Sequence, residues 1–166
     1  ISGDTARDFM QGLIKNDIQR VSPTCAIYAA LLTPQGKFLH DFFIVQHKDS
    51  LLLDCKQDRI PDLIKRLTMY RLRAKVDIAD ASDTWEVGVM LAGSGADDDG
   101  AGEPQPAGTA KTRFDGVSYI DPRHAGLGER TIRLIDEDDT FPTDTVQLEK
   151  NRATYDALRI SLAIPD

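Results

Sequence analysis

Cysteine is scarce in this chain of 166 residues, which holds two, Cys25 and Cys55. Two thiols are too few for a disulfide framework, so a reducing compartment is the default expectation. They form no CxxC pair, and the three histidines, His40, His47 and His124, show no paired ligand spacing. His40 and His47 stand an odd number of positions apart, so one continuous strand would send them to opposite faces. No metal site is expected from these residues. Positive charge is also in the minority, with 20 Lys and Arg against 27 Asp and Glu and a formal net charge of −7. The sequence pI is about 4.9. Direct nucleic-acid binding through a generally basic surface is not expected of such a chain. No apolar run approaches the roughly 20 residues that span a bilayer, so no membrane helix is expected. No leader is visible, yet the chain opens on Ile1 rather than Met and reads as trimmed.

Several catalytic signatures are missing too. There is no phosphate loop, nucleophile elbow or dinucleotide fingerprint. The stretch GSGADDDG has glycines at Gly93, Gly95 and Gly100, but their spacing is wrong and Asp97, Asp98 and Asp99 repel a phosphate. Those acids also lack the spacing of a calcium loop and read as a solvated turn. So does the cluster Glu137, Asp138 and Asp139 ahead of Pro142.

What is present is ordinary globular material, 41% apolar and 28% charged. The length suits one good core or two small lobes. A helix is expected in SGDTARDFMQGLIKNDI, capped by Ser2 or Asp4, with Phe9, Leu13 and Ile14 at helical spacing. CAIYAALLT and KFLHDFFIV flank Pro34-Gln35-Gly36 and read as a hairpin, and SLLLDC as a third strand. QDRIPDLIKRLTMYRLR places Ile60, Leu63, Ile64, Leu67 and Tyr70 on one helical stripe, with Pro61 in the first turn. KVDIAD, TWEVGVMLA, VSYID and TIRLID are expected strands. VQLEKNRATYDALRISLAI is a closing helix with Leu148, Tyr155, Leu158 and Leu162 inward. Residues 93–110 lose all apolar periodicity and read as a flexible acidic linker. The expected fold class is α+β, with mixed, mostly antiparallel sheets and packed helices. Three parts are expected: a first α+β lobe at 1–92, the linker at 93–110, and a second part at 111–166.

Two features invite chemistry. Asp41 stands inside the near-continuous apolar run of KFLHDFFIV. Alternation puts Phe38, His40, Phe42 and Ile44 on one face and Leu39, Asp41, Phe43 and Val45 on the other. Both faces read as buried, so the carboxylate must find a partner or take a proton. The arginines are the second feature. Arg71, Arg73 and Lys75 lie at a helix–strand junction, Arg123, Arg130 and Arg133 surround the GLGER turn, and Arg159 lies in the last helix. Gathered in one cleft they would suit an anionic small molecule; otherwise each simply pairs with a neighbouring acid.

SGDTARDFMQGLIKNDI, QGKFLHDFFIV, LLLDC, LTMYRLRAKV, DPRHAGLG and YDALRISLAIPD occur in this order along nearly the whole chain. Together they resemble the N-terminal, folate-binding part of the YgfZ family of iron–sulfur cluster assembly factors, related in fold to the aminomethyltransferase of glycine cleavage. The resemblance implies an aminomethyltransferase-like folate-binding fold, with tetrahydrofolate or a related folate as cofactor. The transferase hairpin G-G-x-x-D-D matches Gly36 to Asp41, so Asp41 takes the place of its second carboxylate and His40 replaces the first. Tyr28 and Leu52 match pocket-lining positions. The transferase segment R-D-S-L-R-L-E-A-G matches Tyr155 to Ala163, keeping Arg159, with Tyr155 in place of Arg and Ser161 in place of Glu. Arg133 falls where the transferase reads the pterin with a Glu, and an Arg cannot accept from the pterin's N–H donors. The family's K-G-C-[FY]-x-G-Q-E motif is absent, and the resemblance implies that it lies beyond Asp166.

On this resemblance the expected function is a folate-binding accessory for maturation or repair of iron–sulfur clusters, without classical turnover. The expected partners are iron–sulfur assembly proteins or client enzymes, with a link to tRNA modification. The expected location is cytoplasmic in a bacterium and the mitochondrial matrix in a eukaryote. Two alternatives stand beside it. One is a tetrahydrofolate-dependent one-carbon transferase with Asp41 as its catalytic group. The other is a non-catalytic interaction domain with a vestigial cavity.

Overall fold

The computed structural model describes residues 1–91, 105–136 and 145–165, with side chains from residue 150 onward in the last stretch. The cluster Glu137, Asp138 and Asp139 and residues 93–104 of the expected linker lie outside the described residues. The fold class is α+β, with two antiparallel sheets and few helices.

The first sheet is a meander of β1 (Ile14–Lys15), β2 (Ile27–Leu32), β3 (Phe38–His47) and β4 (Ser50–Asp54), in that order. The β2–β3 turn closes on Gly36, whose φ of 80° lies in the left-handed region that only glycine adopts without strain. Its N–H donates to the Thr33 carbonyl at 2.8 Å, and the Thr33 N–H donates to Lys37 at 2.8 Å. The expected opening helix is shorter than its apolar spacing: α1 is Ala6–Gln11, and Gly12 follows it. Ile14 is drawn instead into β1, opposite Leu31. Neither Ser2 nor Asp4 caps α1. Thr5 stands at the cap without a side-chain hydrogen bond, and Ser2 bridges to Asp77. Among the described residues that bridge is the one strand-type pairing within KVDIAD, so the expected strand does not form there.

The second sheet contains β5 (Trp85–Met90), β6 (Ala110–Thr112), β7 (Gly116–Ile120) and β8 (Glu129–Leu134), in the order β5–β8–β7–β6. Sequence patterning did not mark β6, which is three residues long and emerges from a Pro- and Gly-rich stretch. Gly116 is required by packing: a Cβ there would lie 2.0 Å from the Ile132 carbonyl oxygen. The remaining helices are α2 (Ile60–Arg71), with Pro61 in its first turn, and α3 (Thr145–Ser161).

The layers follow from β3. Phe42 and Ile44 join Met10 of α1 and Leu63 and Leu67 of α2 in one core. Phe43 and Val45 join Val117, Tyr119 and Ile132 of the second sheet in another. The first sheet is thus sandwiched between helices and the second sheet, and β3 is buried on both faces as its apolar run predicts. Each large side chain so buried stabilises the fold by about 1.5–3 kcal/mol. Tyr70, at the far end of the α2 stripe, is exposed because the helix ends at Arg71.

Candidate functional site

Asp41 finds its partner across the hairpin. β2 pairs with β3 so that Ala30 is opposite Asp41 and Tyr28 opposite Phe43. Tyr28 and Asp41 are therefore diagonal neighbours on one face, within reach of a long side chain. The Tyr28 hydroxyl donates a short hydrogen bond to Asp41 Oδ2. Burial raises the Tyr28 phenol well above its ordinary pKa, and the Asp41 carboxylate raises it further. The phenol is thus a fixed donor at neutral pH. Asp41 Oδ1 has no hydrogen-bond partner among the described residues.

Arginine covers this pair. The Arg123 guanidinium lies 5.5 Å from the Tyr28 ring centroid and 4.8 Å from that of Phe43. It is held by buried Asp121, which accepts from Nη2 at 2.8 Å, Nε at 3.1 Å and the Arg123 backbone N–H at 2.9 Å. Arg123 also donates to the Tyr155 hydroxyl on α3. Burial works against the Arg123 charge, but Asp121 overrides it and the pKa stands above the ordinary value. Arg130 lies 4.5 Å from the Phe43 centroid on the same inter-sheet face. Asp54 Oδ2 accepts from its Nη2 at 2.7 Å and its Nε at 3.0 Å, and from the Tyr119 hydroxyl at 3.0 Å. Burial and the Asp54 charge push the Tyr119 phenol well above its ordinary pKa.

The structure brings Tyr28 and Asp41 together, with Arg123 above them. It does not bring the other expected site residues to that point. Leu52 is opposite Val45 and packs on the same inter-sheet cluster as Tyr28, but it lines a separate apolar cleft of about 150 Å³ between β4, α2 and β5. Arg133 alternates with Ile132 and so faces the opposite side of β8, where Nε donates to Glu86 at 2.7 Å. Arg159 bonds the Ile164 carbonyl at 2.9 Å and Asp156 at 3.4 Å, and meets the site only through its helix neighbour Tyr155. His40 lies on the far face of β3, buried, with Nε2 2.8 Å from Asp62 Oδ2. Sequence reasoning overlooked Asp54 and Tyr119, although each carried the signal that marked Asp41: a polar group inside an apolar strand.

The cluster offers one free carboxylate oxygen beside the half-buried Tyr28 ring and the Arg123 guanidinium, while Phe43 is buried between the sheets. Such a set can grip a planar ring that carries N–H donors, the ring against Tyr28 and a donor on Asp41 Oδ1.

No family model matches the chain. Among curated proteins it is 47% identical over 53 residues to an aminomethyltransferase of Desulforamulus reducens, covering 32% of this chain and 15% of that protein. It is 26% identical over 181 residues to an iron–sulfur cluster assembly factor IBA57 homolog, mitochondrial, of Coccidioides immitis, covering 100% of this chain and 41% of the relative. It is 28% identical over 159 residues to the mitochondrial iron–sulfur cluster assembly factor IBA57 of Mus musculus, covering 84% and 40%. The chain thus spans 41% or less of the length of these relatives. The matches bear out the kinship drawn from the six segments of the sequence.

Proposed function

We propose that this chain, a relative of the mitochondrial iron–sulfur cluster assembly factors, is the folate-binding part of an accessory protein for iron–sulfur cluster maturation in the mitochondrial matrix. The observation that carries this reading is the breadth of the kinship, which extends over the whole chain in one assembly factor and 84% of it in another. On this reading the fold is aminomethyltransferase-like and the site is the Tyr28–Asp41 pair. A reduced pterin would lie beside the Tyr28 ring, with an N–H donating to Asp41 Oδ1. Tetrahydrofolate fits the donor set at Asp41. It finds no such acceptor at Arg133, so pterin reading in the transferase manner is not proposed. The partners would be iron–sulfur assembly proteins or client enzymes.

The competing reading is a one-carbon transferase, favoured by the 47% identity over 53 residues to an aminomethyltransferase. Against it stands the position of His40, which replaces one transferase carboxylate and is turned away from Asp41. Orientation of a cofactor for attack is a large part of such a rate. Two assays on cells lacking the protein separate the readings. The accessory reading expects depressed activity of [4Fe–4S] enzymes of the aconitase type with normal glycine cleavage. Normal aconitase-type activity together with lost one-carbon transfer would overturn it.

A further inference from the structure

The C-terminal end of α2 contrasts with the acid-paired arginines around the second sheet and α3. Residues 68–73 are six consecutive exposed positions. They include Met69 at 67% exposure and Leu72 at 89%, with Tyr70 beside them. Leu72 holds φ at 43°, in the left-handed region that a leucine enters only at a cost. Burial does not repay that cost, since the side chain stands in solvent. Arg71, Arg73 and Lys75 flank it, all exposed, and none makes a side-chain hydrogen bond or ion pair among the described residues. Arg123, Arg130, Arg133 and Arg159 by contrast are each paired with an acid. Residues 69–75 carry three positive charges and no negative one, in a chain of net charge −7.

We propose that this turn is a docking surface for an acidic, amphipathic segment of another protein, whose apolar side chains cover Met69 and Leu72 while its carboxylates pair with Arg71 and Arg73. Charge complementarity selects that partner. A small anion would leave the apolar side chains uncovered, and the cleft between β4, α2 and β5 does not include these residues. An anionic lipid surface would attract the turn but repel the acidic remainder of the chain. The unpaired guanidiniums match carboxylates bidentately, and the strained leucine is presented where a partner can bury it.

The test uses a fluorescein-labelled helical peptide with leucines at i and i+4 flanked by glutamates, beside a control peptide in which Gln replaces Glu and Ser replaces Leu. The chain should bind the first peptide saturably and the control at least about tenfold more weakly. Binding should weaken with added salt. Leu72→Ser and the double variant Arg71→Glu/Arg73→Glu should each lose about tenfold or more in affinity. Leu72→Gly relieves the left-handed backbone, so its Tm should equal or exceed that of the parent while peptide binding falls. Equal peptide affinity across parent and variants would overturn the proposal. So would preferential binding to phosphatidylglycerol vesicles, or a sedimenting dimer of the chain that Leu72→Ser dissolves.

Discussion

β3 is one strand with two chemistries. On the helical side Phe42 and Ile44 meet α1 and α2 in an apolar layer, and the polar residues of that face are held, His40 by Asp62 and Gln46 by Arg7 of α1. On the other side Asp41 and Phe43 face Tyr28, Arg123 and Arg130, each charge matched to a buried or half-buried acid. Period-two alternation lets neighbouring residues live in unlike media. The lesson is that burial alone does not tell site from scaffold. Asp41 and His40 are adjacent and both have one acidic or phenolic partner. Only Asp41 keeps an acceptor oxygen unused beside the Tyr28 ring.

The comparison can be broken most forcefully by deleting one buried anchor from each side. Arg130→Ala strands Asp54 and should cost about 3–5 kcal/mol. Phe42→Ala leaves a cavity and should cost about as much, 3–5 kcal/mol. Either loss should lower Tm by roughly 10 °C in thermal unfolding followed by circular dichroism. The two sides should then diverge. Replacing the whole polar set, Arg130→Met with Asp54→Leu and Tyr119→Phe, should restore most of the stability, because no charge is left unpaired. If that triple variant stays as unstable as Arg130→Ala, the inter-sheet pair is not the self-contained unit described above.

A smaller change sharpens the contrast between neighbours. Asp41→Asn should fold with a loss of about 1 kcal/mol. It should also abolish tetrahydrofolate binding measured by titration calorimetry. His40→Gln should cost about as much, roughly 1 kcal/mol, and leave folate binding intact. Equal folate affinity in the two variants would remove the functional distinction between the faces.

The smallest effect lies in the pH dependence of the helical side. The Arg66 hydrogen bond, with that of His40, holds Asp62 below the ordinary carboxylate pKa. A carboxylate whose folded pKa is depressed binds fewer protons in the native state than in the unfolded state. Its contribution is therefore present above about pH 4, the unfolded value, and is lost as pH falls through the lower folded value. Asp62→Asn should flatten that acid limb slightly in urea titrations, by lowering stability a little near neutrality and leaving it unchanged at the acid end. A flattening on the alkaline side instead would reverse the sign assigned here.

The sequence made β3 readable because a continuous apolar run with one acid admits few other arrangements. Leu63 and Leu67 of α2 were equally legible from their spacing. Tyr28 and Asp41 were brought to one site by resemblance, and hairpin register alone explains why they meet. The partners of the inter-sheet face were not legible. Asp54 reaches Tyr119 across 65 positions and Arg130 across 76, from one sheet to the other, and no local pattern encodes such a pairing. The facing of Arg133 was not legible for a related reason. One step along β8 turns a side chain to the other face, which residue type cannot reveal.

The two sheets also differ in how they must assemble. In the first sheet every strand pairs with its chain neighbour, so each ladder needs only a short loop to close. In the second, β5 must wait for β8, because Met90 pairs with Glu129 and Trp85 with Leu134. Closing that long loop costs entropy before any contact repays it. The first sheet and its helices are therefore expected to form first, with Phe43 and Val45 exposed on the bare face. The second sheet condenses onto that face late, and until it does the future inter-sheet surface is the part of the nascent chain most open to aggregation.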